Sequence, residues 1–334
     1  MARIGHVVVG PDAHGVVRYA LTVGDALHAS GERHTVVRLR TPDSELPSLD
    51  HCSLVHLHVN DRLFGRSPAA AAEALQTLTH RIGVPVSMTL HDLPQPSDGA
   101  AMDVRAGFYR TAVASAVGIV VSSEHEASLL AQHVDASAKP EVVPLMIDSV
   151  RRTPRGPTTA TTVGVLGFLY PGKGHIETLK AMEDLPEAVG FVALGSPSPG
   201  HEDIADTLRA AAAGTGRACE VTGYLTEDEI HERAARVTVP VAYHRHMSAS
   251  GSINTWIAAG RRPLVPRSTY SEELDARSPG LVLVHDADEA SLRRAIAASI
   301  ADPSGTWIDP ETVPRPTPAD VAEAHTALFE RWAE

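Results

Sequence analysis

Cysteine is nearly absent from this sequence. Cys52 and Cys219 are the only two among 334 residues, and they lie far apart. A disulfide framework and a cysteine-based zinc site are therefore excluded, and a reducing cytoplasm is the expected compartment. Long apolar runs are missing too: no stretch reaches the length of a membrane span, and the N-terminus enters a strand-like run at 4–9 with no signal peptide before it. Aromatic residues make up only 4% of the chain, so alanine and valine must fill most of the interior. Positive charge is in deficit, with 29 Lys and Arg against 41 Asp and Glu and a formal charge of −12. Binding a phosphate backbone needs a basic surface, so nucleic acid is disfavoured as the main partner. A small anion stays open wherever positive charge is local. The length suits two domains, each able to bury a core.

What is present centres on 163–182. An apolar run ends at Gly167, a loop follows with Gly172, Lys173 and Gly174, and Ile176, Leu179 and Met182 then recur at helical spacing. This reads as strand, tight loop and helix. Glycines let an anion approach backbone N–H groups, and Lys173 adds a full charge, so the natural guest is a phosphate. The pattern Gly-x-x-x-x-Gly-Lys departs from a nucleotide-triphosphatase loop at its last position, where Gly174 stands in place of the Ser or Thr that holds magnesium. A diphosphate seat without metal fits better. From the loop alone, an ordinary turn with a solvated lysine is an equal reading.

Along the chain, strands are predicted at 4–9, 35–39, 53–59, 84–90, 118–121 and 141–144, with helices after Gly15, at 68–82 and 102–115, and after Ser123. Apolar strands alternating with helices imply a doubly wound parallel sheet. The Pro- and Thr-rich segment 150–161 reads as a linker between a domain at 1–149 and a second at 162–316. In the second, strands are expected near 163, 189–194, 217–222, 237–243, 263–266 and 281–284, and Thr226 with Glu229 makes a capping box. A last helix, 317–334, carries Val321, Ala324, Leu328 and Trp332 on one face. Two pairs, His56-x-His58 and His244-x-His246, each put two imidazoles on one strand face, with no third zinc ligand evident beside them. Asp286-x-Asp288 precedes an amphipathic helix and reads as a helix cap.

Several of these segments together, in order, resemble family 4 retaining glycosyltransferases of the glycogen synthase and mannosyltransferase type. The segments are Gly15-Val-Val-Arg18-Tyr19, Thr89-Leu-His91-Asp92, 120–125, 143–148, the loop 167–174, Gly223-Tyr-Leu-Thr-Glu-Asp-Glu-Ile and the helix 320–332. The resemblance implies the GT-B fold: two Rossmann-like α/β domains facing across a cleft, with a C-terminal helix crossing back to the first. Two family features are absent. Phe168 follows Gly167 where an arginine is usual, and the paired glutamates align with Met247 and Thr255.

By the resemblance, a nucleoside diphosphate sugar is the donor, with GDP-mannose favoured, and a glycoside or oligosaccharide hydroxyl is the acceptor. Transfer would retain the anomeric configuration by front-face substitution, and no metal or other cofactor is required. Catalytic roles fall to His91 and Lys173. The donor diphosphate would be held by Gly15, Gly172, Lys173, Arg245, Ser250, Gly251 and Ser252, and the nucleoside by Gly167, Tyr224, Leu225, Asn254 and Thr255. Two alternatives accompany this reading, a nucleotide-sugar epimerase of the same fold and a sugar-nucleotide-binding protein that has lost activity. The oligomeric state is not encoded in any motif found.

Overall fold

The structure, a computed structural model, describes residues 3–31, 34–151, 160–245 and 247–334. The chain forms two compact units, Met1–Met146 with Pro316–Glu334 and Ile147–Arg315. Most of the expected linker, 152–159, lies outside the described residues, as does His246. At the linker's start, Arg151 already belongs to the second unit. Its N–H donates to the Ala258 carbonyl at 2.7 Å, and its guanidinium pairs with Glu227 and Asp228.

The first unit runs β1 Ile4–Val9, α1 Gly15–Ala29, β2 His34–Leu39, β3 Leu54–Val59, α2 Asp61–Phe64, α3 Pro68–Ile82, β4 Val86–Leu90, α4 Met102–Ala114, β5 Gly118–Val121, α5 Glu124–His133 and β6 Glu141–Val142. The six strands form one parallel sheet in the order β2-β1-β3-β4-β5-β6. β1, β3 and β4 are buried along their whole length. Helices cover both faces of such a sheet, which is why these strands are buried at every position, including His6, His56, His58, Ser87 and Thr89. α3 has a complete set of end signals: Ser67 accepts from the Ala70 N–H, Pro68 takes the first helical position, and Gly83 ends the helix at φ +72°.

The second unit repeats the plan with β7 Thr162–Leu166, α6 His175–Ala181, β8 Gly190–Leu194, α7 Ile204–Ala213, β9 Cys219–Val221, α8 Glu227–Arg236, β10 Val239–Val241, α9 Gly251–Ala258, β11 Leu264–Pro266, α10 Thr269–Arg277, β12 Leu283–His285 and α11 Glu289–Ala301. Its sheet is also parallel, in the order β12-β11-β10-β7-β8-β9. The Thr226–Glu229 capping box forms as the sequence predicts. Asp288 caps α11 by accepting from the Ser291 N–H.

The final helix, α12 Pro318–Trp332, belongs to the first unit. Its Val321, Ala322, Leu328 and Phe329 share a core with Ile4, Val23, Leu27 and Leu54. The chain therefore returns to its first unit after completing the second, as the resemblance implies. No described helix is long and apolar enough to cross a membrane.

Candidate functional site

In an open parallel sheet, ligands collect beyond the carboxyl ends of the two strands from which the chain winds in opposite directions. In the second unit these strands are β7 and β10, neighbours in register from Val163 with Val239 to Val165 with Val241. The loop after β7 carries Lys173, and the loop after β10 leads to Ser250 and α9. The two meet. Lys173 Nζ donates to Ser252 Oγ at 2.9 Å, the Ser250 and Ser252 hydroxyls are 3.2 Å apart, and His244 reaches Ser250 through Nδ1 at 3.5 Å and Ser252 through Nε2 at 3.4 Å.

The backbone is shaped for this meeting. Gly174 adopts φ +94°, and a Cβ there would overlap the Tyr243 carbonyl. At Gly167, φ is +116° and a Cβ would come within 3.0 Å of Lys173 Cε. The positive φ favours glycine at both positions, and at Gly174 the Tyr243 backbone leaves no room for anything else. The Arg245 N–H donates to the Gly172 carbonyl at 2.9 Å, which ties the two loops together. Ser250 caps α9, whose first residue Gly251 has open space beside its backbone.

Lys173 is not a solvated turn lysine. It is only 8% exposed, and among the described residues no carboxylate lies within ion-pairing distance of it. Burial without a counter-charge lowers its pKa to about 7. His175, the first residue of α6, is buried and held down at about 3 by burial and then by Lys173. His244 is held well below its ordinary value by burial, Lys173 and His175, in that order. The cluster is thus a polar, desolvated set of donors with no negative charge of its own, which suits an arriving anion.

The other donor-side residues fall around this cluster unevenly. The Arg245 guanidinium is turned to Glu177, at 3.4 Å, and is largely exposed. Thr255 gives its hydroxyl to the Gly251 carbonyl at 2.9 Å, and Asn254 is buried on α9. Met247, at one family glutamate position, is buried in the core with Ile253 and Trp256, so that position faces hydrophobic packing. Leu225 packs against the same core, while Tyr224 is exposed. Phe168, Tyr170 and Tyr224 are the only exposed aromatic side chains among the described residues, and all three follow the carboxyl ends of strands β7 and β9.

In the first unit, His91 follows β4 and is buried. The next residue, Asp92, is the only non-glycine residue among those described with positive φ, at 53°. That conformation is over-determined: Tyr109 donates to the carbonyls of His91 and Asp92, Arg105 donates to the Asp92 carbonyl, and Asn60 meets the Asp92 carboxylate. A strained residue held this firmly at a strand's carboxyl end is typical of functional positions. His91 Nε2 lies 3.0 Å from His58 Nδ1. Behind that pair, His6 stacks on His58, and His56 bonds Ser87 and Thr89 at 2.9 Å each and meets His325 of α12 edge to face. Burial holds His6 and His91 at about 3 and His325 at about 4, with His56 and His58 also well below the ordinary value.

Gly15 opens α1 behind the His14 cap, with nothing within 4 Å of where a Cβ would stand. Gly15 and His91 belong to one unit and the Lys173 cluster to the other. Among the described residues, no three His, Cys, Asp or Glu side chains are grouped to hold a metal ion. A surface hollow of about 460 Å³ between Gln76, His80 and Val117 lies at the amino ends of β4 and β5, away from His91.

Two groupings carry no sequence signal: His244 with Lys173, which only the tertiary fold brings together, and His6 and His325 with His56, His58 and His91. His6 and His325 carry no local signal, since each looks like a single polar residue in an apolar pattern.

No protein-family model matches the chain, and neither does any curated protein. Solved structures do resemble it throughout. Sucrose-phosphate synthase from Thermosynechococcus elongatus superposes with a TM-score of 0.70 at 16% identity, covering 100% of this chain and 96% of its own. The Anabaena protein HepE, in complex with UDP-glucose, gives 0.66 at 14% identity, with 100% and 98% covered. A glycosyltransferase from Rickettsia africae gives 0.68 at 10%, with 100% and 99% covered. At these identities the likeness establishes the fold, which is GT-B.

Proposed function

We propose that this chain is a glycosyltransferase that moves a hexose from a nucleoside diphosphate sugar to a hydroxyl of a carbohydrate acceptor. The observation that carries the proposal is the convergence of Lys173, Ser250 and Ser252 at the switch point of the second sheet. Charge develops on the departing diphosphate as the sugar leaves. Lys173, the two hydroxyls and the N–H groups at Gly251 and Ser252 are aimed at that charge and need no reorganisation to meet it. His91 serves the acceptor side, on a backbone fixed by Tyr109 and Arg105. The resemblance points to front-face transfer with retention. GDP-mannose is the donor that the family resemblance favours. HepE is a structure of the same fold with UDP-glucose bound, so both donors belong in the test.

A second reading rests on Met247 and Arg245. With one family glutamate position built into the core and the guanidinium turned to Glu177, the chain could hold a sugar nucleotide without transferring it. One assay separates the readings: incubation with UDP- and GDP-sugars, with and without glycoside acceptors, following nucleotide release and product configuration. Acceptor-dependent release with a retained anomer is the expected result. An isomerised donor indicates an epimerase, and tight binding with no product indicates a binding protein.

A further inference from the structure

The Lys173 cluster holds a buried base with no acid to match it. On its own loop, Tyr170 is the nearest titratable side chain, with its ring centre 5.9 Å from Nζ. α6 contributes His175, and the segment after β10 contributes His244. α9 contributes only the hydroxyls of Ser250 and Ser252. Arg245 and Glu177 pair with each other at 3.4 Å. No carboxylate among the described residues pairs with an ammonium group here, and a buried charge without a counter-charge is among the least favourable arrangements a protein interior offers.

Building on the donor-seat proposal above, we infer that the empty site holds Lys173 as a neutral amine, and that the donor's diphosphate enters together with one proton, which Lys173 Nζ takes from solvent. Neutral Nζ can still donate to Ser252 Oγ at 2.9 Å, so the empty cluster stays hydrogen-bonded without charge. The negative charge of the diphosphate supplies the missing counter-charge on binding, and the ammonium form then becomes the favoured one. The Lys173 pKa of about 7 in the empty site puts this change in the neutral range. His175 and His244 sit too low to take the proton in its place.

The sign follows from linkage. Binding that raises a pKa takes up protons above the empty-site value and weakens as pH rises, by up to about tenfold per pH unit. A sugar nucleotide is a suitable probe because both its phosphates are diesters, with no proton of their own to exchange near neutrality. UDP-glucose and GDP-mannose are titrated calorimetrically at several pH values in buffers of different ionisation enthalpy, excluding phosphate buffer.

The expected result is an uptake of about one proton per nucleotide at pH 8.5, falling toward zero at pH 5.5, with affinity declining above pH 7. Lys173→Met should bind more weakly, with no uptake and no such decline, and Lys173→Arg should bind without uptake. Thermal melts of both variants check that they fold. Tight binding at pH 8.5 with no proton uptake overturns the inference and leaves the donor seat intact. Uptake that persists in Lys173→Met places the proton elsewhere and overturns it as well. Wild-type affinity in Lys173→Met, or no binding of either nucleotide by the wild-type protein, overturns the seat itself.

Discussion

The proposed function makes separate demands on single side chains of the two units. His91→Ala should slow transfer about 100-fold, the scale of losing one orienting contact at a reacting centre, while leaving nucleotide affinity nearly unchanged. His91 lies in a different unit from the Lys173 cluster. Initial rates beside calorimetric titration with the nucleoside diphosphate check both halves of that expectation. Gly167→Ala should act on the other unit. The substitution forces a Cβ into a backbone at φ +116° and against Lys173 Cε. It should lower stability by roughly 1–3 kcal/mol in urea unfolding and weaken donor binding with it. At this scale the sequence was only partly legible. Lys173, Gly174 and Ser252 stood in recognisable patterns, because glycine spacing and helix caps are local features. The partnership of Lys173 with His244 was not, because the two groups stand 71 positions apart in the chain (244 − 173) and only the β7–β10 pairing brings them together.

Secondary elements were read well where their signals are local and less well where they are shared. The strand and helix order of both units follows the predicted alternation, and the caps at Thr226 and Asp288 form as read. Strands came out shorter than predicted at their ends, as with β10, which spans Val239–Val241 inside the expected 237–243. Val237 and Ala242 flank that strand and are apolar because they are buried in the core with Ile253 and Trp256. The site of α12 could not be deduced from its own period, since an amphipathic face does not name its partner. Gly118 records that partner. A Cβ at Gly118 would overlap the Trp332 ring, so β5 must present a glycine where the end of α12 lies. Gly118→Val should therefore cost roughly 1–3 kcal/mol, and pairing it with Trp332→Ala should cost less than the sum of the two single changes. A double-mutant cycle in urea checks this, and strict additivity would disconnect Gly118 from the helix.

Across the whole molecule, the low pKa values of the first unit's histidines make stability depend on pH in one direction. His6, His56, His58, His91 and His325 are neutral in the folded state and regain ordinary values near 6.5 when unfolded. The unfolded chain then binds more protons below about pH 6.5, so stability is full above that value and is lost progressively as pH falls toward 4. Melting temperature against pH should show this loss. His6→Leu should make it shallower by about one proton, because His6 is fully enclosed and neither of its ring nitrogens meets a protein partner. An unchanged slope in His6→Leu would remove His6 from the cause.

The central claim is that Lys173 and the start of α9 stabilise a departing diphosphate. It is tested most directly by comparing turnover and donor affinity in Lys173→Ala with the wild-type protein under saturating acceptor. A contact that strengthens as the sugar leaves should cost roughly 2–4 kcal/mol in the transition state, about 100-fold or more in turnover, with a smaller loss in donor binding. Near-normal turnover in Lys173→Ala would contradict the account.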